Sequence, residues 1–172
     1  MRVVLFRHGP AGEANHELWP NDALRPLTPR GEERTGRAAL GIAALEPRIV
    51  RVISSPLLRA RASAQLLRDG LALDSRVALC DALAPGGSVS QLIEALPDVR
   101  EDEAIALVGH EPDLGKLAGT LLFGAPAHIA IKKAGGCAIE FEGRALAGAG
   151  RLVWFMPPRL LRRVARARRV EA

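Results

Sequence analysis

The stretch Val3-Val4-Leu5-Phe6-Arg7-His8-Gly9 places a guanidinium and an imidazole directly after four consecutive apolar residues. A short apolar run of this kind is typical of a strand that is buried on both faces of a parallel sheet. In open α/β sheets the chemistry collects at the carboxyl ends of such strands. We therefore expect Arg7 and His8 to lie at the functional edge of a sheet.

Two further stretches end a strand-like run with the same kinds of side chain. Ser54-Ser55-Pro56-Leu57-Leu58-Arg59-Ala60 contributes Arg59, and Val108-Gly109-His110-Glu111-Pro112 contributes His110. The carboxyl ends of parallel strands meet at one edge of a sheet. The two arginines and two histidines of the three stretches are therefore expected to form a single site.

Apolar runs and helical patterns alternate along the rest of the chain. The patterns predict strands over 2–6, 51–54, 77–79 and 104–108, and helices over 29–45, 56–68, 89–96 and 112–124. Two alternating segments, 137–142 and 151–156, predict a hairpin. Strands alternating with helices favour an α/β fold, a three-layer α/β/α sandwich with a mostly parallel central sheet. We expect one domain over 1–158 and a basic tail over 159–172.

Composition indicates an ordinary globular protein: of 172 residues, 48% are hydrophobic and 25% are charged. No apolar run approaches the length of a membrane span, and the N-terminal run does not fit a signal peptide, so we expect a cytoplasmic protein. The two cysteines, Cys80 and Cys137, are far apart and form no CxxC or Cys/His cluster. This spacing favours unpaired thiols over a disulfide framework or a zinc site.

The net charge of +5 is concentrated in the tail, where six arginines stand against one glutamate (Arg159, Arg162, Arg163, Arg166, Arg168, Arg169 and Glu171). Everything before the tail is neutral overall, so no nucleic-acid partner is expected. We expect the tail to form a helix that packs Leu160 and Leu161 on the domain, with its arginines in solvent. The alternative is a helix that contacts an acidic partner.

The four site residues are suited to a phosphoryl group. The planar guanidinium of an arginine matches phosphate oxygens, so Arg7 and Arg59 are candidate phosphate ligands. A neutral imidazole can attack phosphorus and form a phosphoamidate, the role we expect for His8. A second imidazole, His110, can donate to the phosphoryl oxygens as charge spreads over them.

Taken together, the motifs resemble the histidine phosphatase superfamily, which has the phosphoglycerate-mutase-like fold, and within it the small SixA-type phosphohistidine phosphatases. Four segments in family order carry the resemblance, which extends from residue 1 to about 156: Arg7-His8-Gly9, Arg25-Pro26-Leu27-Thr28, Ser55-Pro56-x-x-Arg59-Ala60 and Gly109-His110-x-Pro112. The resemblance implies that His8 is the phosphorylated nucleophile and that Arg7, Arg59 and His110 complete the phosphate pocket. It also implies that Arg25 reaches the phosphate.

One departure from the family pattern concerns the general acid. Larger members carry a glutamate at the position of Ala82, and the neighbouring Asp81 lies on a strand-like segment, which would point it the other way. A missing proton donor slows hydrolysis of phosphate esters, whereas the imidazole of a phosphohistidine leaves more easily. This favours a phosphohistidine-bearing protein as substrate. Other possible donors are Glu13, Asp22 and Glu111.

The remaining candidates have weaker signals. His16 and His128 lie outside the motifs and are expected to be surface or packing residues. The segment Trp19-Pro20-Asn21-Asp22 forms either the lip of the substrate groove or, through Trp19, a packed loop anchor. Two other functions stay open, a small-molecule phosphomonoesterase and a catalytically silent phosphate-binding module.

No metal or other cofactor is expected, because two arginines supply the positive charge that Mg²⁺ would otherwise bring. Phosphate release by the purified protein should therefore stay within about twofold of its starting rate in excess EDTA. Steady-state assays with and without chelator check this. A loss of activity that Mg²⁺ restores would contradict it.

Overall fold

The computed structural model describes residues 1–125 and 127–168, so Arg169 and Glu171 of the predicted tail lie outside the described residues. Within these ranges strands and helices alternate largely as predicted. The strands are β1 (Arg2–Arg7), β2 (Ile49–Ser54), β3 (Ala78–Leu79), β4 (Ala104–Gly109), β5 (Gly136–Glu140) and β6 (Arg151–Met156). The helices are α1 (Pro29–Leu45), α2 (Leu58–Gly70), α3 (Val89–Glu94), α4 (Asp113–Phe123) and α5 (Pro158–Arg168).

The strands form one mixed sheet in the order β3-β2-β4-β1-β5-β6. The four strands from β3 to β1 are parallel, and β5 and β6 add the predicted antiparallel hairpin. In the central pair, Arg7 at the end of β1 lies opposite Gly109 at the end of β4. Since β2 is also parallel to β4, the carboxyl ends of β1, β2 and β4 share one edge of the sheet.

Helices cover both faces of the sheet, which confirms the predicted three layers. Side chains alternate between the faces along a strand. In β1, Val4 and Phe6 join a buried cluster with residues of α1, α2 and α5. The intervening Val3 and Leu5 join a second cluster with residues of α3 and α4. The central strands are thus apolar throughout because both of their faces are buried.

The start of α1 matches the sequence pattern that predicts it. Thr28 is the N-cap and its hydroxyl accepts a hydrogen bond from the Gly31 N–H at 2.9 Å, while Pro29 occupies the first turn. Gly31 has no room for a side chain, because a Cβ there would lie 2.0 Å from the carbonyl oxygen of Pro10. The first turn of α1 therefore packs directly on the loop that follows β1.

Three local predictions are wrong in detail. The helices expected to begin at Pro56 and Pro112 begin at Leu58 and Asp113. Leu57 keeps an extended backbone while its N–H donates to Ser55 Oγ at 3.3 Å, which delays the start of α2. Asp81 lies in a 3₁₀ turn, Asp81–Leu83, and not on a strand, so the expected orientation of its side chain does not hold. The turn forms because Leu83 N–H donates back to Cys80 O at 3.1 Å.

The basic tail begins as helix α5, which packs against α1. Leu161 is fully buried in this contact, as expected, whereas Leu160 is 41% exposed. The contact is close, since a Cβ on Gly41 of α1 would lie 2.0 Å from the Leu161 carbonyl oxygen. Across residues 1–125 and 127–168 we find no helix with the length and apolar character needed to cross a membrane.

Substitution of alanine for each of two glycines of α1 should change the free energy of unfolding in opposite directions. Gly41→Ala pushes α5 away and should lower the free energy of unfolding by about 1–3 kcal/mol. Gly36→Ala has space, its nearest neighbour Leu66 Cδ2 being 3.6 Å from the new Cβ. It should therefore raise the unfolding free energy by up to about 1 kcal/mol through helix propensity. Urea unfolding of the two variants measures both effects, and equal changes would contradict the packing.

Candidate active site

His8 follows the last residue of β1 and is 6% exposed. Its Nδ1 lies 2.7 Å from the carbonyl oxygen of Gly9. Because a carbonyl only accepts hydrogen bonds, Nδ1 carries the ring proton and Nε2 keeps its lone pair. Burial, followed by the neighbouring His110, lowers the pKa of His8 to about 3. The ring is therefore a neutral imidazole at physiological pH, as a nucleophile requires.

The loop after β1 is held by both neighbouring helices. A Cβ on Gly9 would lie 1.8 Å from Thr35 Oγ1, so only glycine lets the loop pack on α1. The Gly9 N–H donates to Ser63 Oγ of α2 at 3.0 Å, and that hydroxyl donates to the Arg59 carbonyl at 2.7 Å. These contacts position His8 beside the first turn of α2, which carries Arg59.

His110 lies at the end of β4, with its ring centroid 4.8 Å from that of His8. Its Nε2 is 2.8 Å from Ser55 Oγ, and the same oxygen accepts a hydrogen bond from the Leu57 N–H. When the Ser55 hydroxyl donates to Nε2, the proton of the neutral ring is on Nδ1. Burial, followed by the charge of Arg59, lowers the pKa of His110 to about 4. Ser55 is a site residue that the sequence analysis missed, although it stands within a quoted motif.

Arg59 is 4% exposed and is held by Asp22. Its Nη1 donates to the Asp22 carbonyl at 2.9 Å, and its Nη2 lies 3.0 Å from Asp22 Oδ2. Asp22 also accepts from Arg25 Nε at 2.7 Å, and Arg25 Nη1 donates to Gly12 O at 2.7 Å. The hydrogen bond from Arg25 lowers the pKa of Asp22 and keeps it ionised. The structure thus ties Arg25 to the Arg59 side of the site through this carboxylate.

Arg7 is held by a relay of three residues. Its Nη1 donates to the Ile131 carbonyl at 2.8 Å, and the Ile131 N–H donates to Glu111 Oε1 at 3.0 Å. Glu111 Oε2 lies 2.7 Å from His128 Nε2. Neither Ile131 nor His128 was singled out by a motif, because a backbone carbonyl contributed by a distant loop leaves no signature in side-chain spacing. Burial lowers the pKa of Arg7, although nearby Glu111 opposes this.

Three buried nitrogen atoms in the described ranges lack a protein partner: Arg7 Nε, Arg59 Nε and His110 Nδ1, the last of which is a donor when Ser55 donates to Nε2. Each comes from one of the predicted site residues. An unpaired buried donor costs about 1–3 kcal/mol, so such atoms are rare unless they serve a ligand. Three donors beside a neutral imidazole are suited to a tetrahedral oxyanion with its central atom open to attack.

The structure separates the candidate proton donors. Asp22 is ionised by its arginines, and Glu111 uses both oxygens within the relay. Glu13 and Asp81 are exposed, in a loop and a turn respectively. His16 is exposed as expected, and Trp19 packs over Gly12 in the manner of a loop anchor.

Comparisons with known proteins agree with this geometry. The family model for the histidine phosphatase superfamily, branch 1, matches residues 3–84. A protein of Picosynechococcus described as uncharacterized is 37% identical over 142 residues, which cover 78% of this chain and 82% of that protein. Phosphohistidine phosphatase SixA of Escherichia coli is 31% identical over 124 residues, covering 70% of this chain and 74% of SixA. The chain belongs to the histidine phosphatase superfamily.

Structural similarity places it with the SixA type of this superfamily. The structure of the protein histidine phosphatase SixA complexed with tungstate matches with a TM-score of 0.75 and 25% identity, covering 94% of this chain and 99% of that one. The fold is therefore phosphoglycerate-mutase-like, as the resemblance implied. Because the superfamily and its SixA members are phosphatases, the protein is a phosphatase, which is a hydrolase. A role for histidine in that activity follows from the superfamily.

In the described ranges no group of three or more His, Cys, Asp or Glu side chains is arranged to hold a metal ion. The expectation that catalysis needs no metal stays a prediction, which the chelator assay tests.

The relay through Glu111 predicts how Arg7 is positioned. Glu111→Ala removes the acceptor for Ile131 N–H and frees the carbonyl that holds Arg7, so the Kd for inorganic phosphate should rise about tenfold. Glu111→Gln keeps an oxygen for the same N–H and should stay within about threefold of wild type. Isothermal titration calorimetry measures both values. Equal weakening in the two variants would show that the charge of Glu111 matters and that the relay does not.

Proposed function

We propose that the protein hydrolyses phosphohistidine in proteins, by way of a covalent phosphohistidine intermediate on His8. One observation carries the proposal. The neutral, buried His8 ring lies among three buried donors, on Arg7, Arg59 and His110, that have no partner in the part of the chain the structure describes. Burial favours an imidazole that is uncharged and nucleophilic, while the donors favour the negative charge of a phosphoryl group.

In the first step, the Nε2 lone pair of His8 forms a bond to phosphorus. The bond between phosphorus and the substrate imidazole breaks, and the departing imidazole takes its electron pair and a proton from solvent. In the second step, water forms the new O–P bond as the bond to His8 breaks, and its proton passes to solvent. Inorganic phosphate leaves and neutral His8 returns. Splitting one transfer into two lowers the barrier of each.

Arg7, Arg59 and His110 stabilise the transferring group through its equatorial oxygens. Arg7 and Arg59 bring positive charge in a water-poor site, where charge-assisted hydrogen bonds are strongest. His110 donates through Nδ1 in the tautomer that its Ser55 contact permits. Arg25, tied to Asp22, contributes positive charge on the Arg59 side and is the fourth phosphate ligand in this proposal.

Two features support a protein as the substrate. Two of the named relatives, SixA of Escherichia coli and the SixA bound to tungstate, are described as a phosphohistidine phosphatase and a protein histidine phosphatase. In addition, the loop around Asp22 exposes two large apolar side chains, Leu18 at 68% and Leu24 at 60%. An apolar rim beside a charged pocket suits contact with a protein surface.

The phosphoamidate bond explains why a site without a dedicated acid suffices. Ala82 stands where larger family members carry their glutamate, and Asp22 is held ionised. An alkoxide leaving group needs a proton from the enzyme, but an imidazole does not depend on one to the same extent. The site therefore favours phosphohistidine over phosphate esters.

The proposal is tested with a phosphohistidine-bearing phosphocarrier protein and, separately, an aryl phosphate. Wild type should release phosphate faster from the phosphocarrier, and His8→Ala should lose at least about a thousandfold in kcat/KM. His16→Ala, which removes an exposed histidine outside the site, is the matched control and should retain wild-type rates. Phosphate release is followed together with ³¹P NMR of the trapped intermediate.

The alternatives give different results in the same assay. Turnover of the aryl phosphate alone would indicate a small-molecule phosphomonoesterase. Binding of phosphate without turnover of either substrate would indicate a phosphate-binding module. Phosphocarrier turnover that survives His8→Ala would overturn the role of His8.

A further inference from the structure

One side of α1 carries a row of arginines that points towards α5. Arg30, Arg34 and Arg37 recur at helical spacing, all three are exposed, and Gly41 continues the same row. Gly41 is the residue that meets the backbone of Leu161 in α5. The three arginines therefore lie on the same side of α1 as its contact with α5.

Helix α5 carries a second row of arginines on the side away from its buried Leu161. Arg159, Arg162, Arg163 and Arg166 also recur at helical spacing. Arg162 is half-buried and the other three are exposed. No acidic residue occurs between Pro158 and Arg168, so nothing within the helix neutralises the row.

The two rows meet. Arg34 and Arg37 lie close enough to Arg162 that, after the larger effect of burial, their charges lower its pKa. One ion pair in this region is Arg37 with Glu33, at 2.7 Å, and both side chains are more than half exposed. Such an exposed pair screens little charge. We call these residues the basic face: Arg30, Arg34, Arg37, Arg159, Arg162, Arg163 and Arg166.

The basic face starts at the active-site edge of the sheet. The N-cap of α1, Thr28, donates its N–H to the Pro10 carbonyl at 3.1 Å, and Pro10 is two residues after His8. Strand β6 is antiparallel to β5, which is antiparallel to β1, so β6 ends at the same edge and α5 begins there. Both helices thus lead away from the site with their arginines on one surface.

We propose that the basic face docks an acidic surface of the phosphohistidine-bearing protein that delivers its phosphoryl group to His8. The inference rests on the function proposed above and names the chemistry of the partner. Guanidinium groups pair with carboxylates in planar, two-point hydrogen bonds, and a row of them steers an acidic partner at long range. A protein whose phosphohistidine occupies the pocket lies over the active-site edge of the sheet, which is where the basic face begins.

A protein partner fits the face better than a lipid surface does. An amphipathic helix binds a membrane by inserting its apolar side. In α5 that side is occupied, because Leu161 is fully buried against α1. The outward surface that remains carries one large apolar side chain, Leu160, among its arginines, and this mainly charged surface suits a solvated acidic protein.

The test removes charge without touching the site. In one variant Arg34, Arg159 and Arg166, all exposed, are changed to Gln. In the control variant three exposed arginines elsewhere, Arg48, Arg51 and Arg76, are changed to Gln, so the net charge falls equally. In a third variant Arg34, Arg159 and Arg166 are changed to Lys, which keeps the positive charge at these positions. Circular dichroism confirms that each variant is folded.

With an acidic phosphohistidine phosphocarrier at low salt, the first variant should lose about tenfold in kcat/KM, with kcat unchanged, because rim charges act on association. The difference should vanish at about 1 M salt, where charges are screened beyond roughly 3 Å. The control and Lys variants should stay within about twofold of wild type. Free phosphohistidine should be hydrolysed equally by all four proteins.

Equal losses in the first and control variants would overturn the docking proposal, since net charge alone would explain them. Unchanged turnover of the phosphocarrier by the first variant would also overturn the docking proposal. This holds whether or not the variant binds anionic vesicles or duplex DNA more weakly than wild type. Failure of the proposed function gives a different result. Wild type would then hydrolyse free phosphohistidine or an aryl phosphate but not the phosphocarrier, and so would the variants of the basic face.

Discussion

The buried guanidinium of Arg59, the half-buried guanidinium of Arg7 and two buried imidazoles lie at one edge of the sheet, and the rest of the site follows from holding them there. Burying charge of one sign costs free energy unless each group has a partner. Arg59 is held by the carboxylate and carbonyl of Asp22, and Arg7 by the carbonyl of Ile131. The imidazoles avoid the cost by staying neutral, since burial lowers the pKa of both. The pocket thus keeps two positive charges beside a neutral imidazole, His8.

The parallel strands bring these four side chains together. β1 and β4 are hydrogen-bonded neighbours in the sheet and end at the same level, which brings His8 and His110 within 4.8 Å between ring centroids. Helix α2 follows β2 at the same edge and contributes Arg59. Glycine at position 9 lets α1 and α2 pack on the loop between them, which limits the positions that the His8 ring can adopt.

The same packing has a consequence for the outer surface. Leu161 seats α5 on α1 and, in doing so, sets one arginine-bearing helix beside another. Like charges placed together repel, so an apolar contact maintains an arrangement that electrostatics opposes. The result is a positive surface beside the pocket that we propose holds a phosphoryl group, and the proposed acidic phosphoprotein partner would meet both features.

Much of the fold, and the convergence of four side chains at one edge of the sheet, were predictable because local rules control them. Continuous apolar runs predict the buried strands, Thr28 and Pro29 predict the start of α1, and parallel strand ends predict that Arg7, His8, Arg59 and His110 converge. Side-chain patterns were weaker where the backbone turns, as at Asp81, because its 3₁₀ turn is held by backbone hydrogen bonds that any residue can make.

The sequence by itself determined which groups stand at the strand ends, since secondary structure and side-chain chemistry depend on near neighbours. Only the tertiary structure decided how those groups are held. Ile131 and Glu111 position Arg7, Ser55 orients His110, and Asp22 joins Arg25 to Arg59. These contacts link residues from 3 to 124 positions apart and several use backbone atoms, which every residue carries. Apart from the local pair of Asp22 and Arg25, no spacing of side chains along the chain encodes these contacts, and they exist only once distant segments have come together.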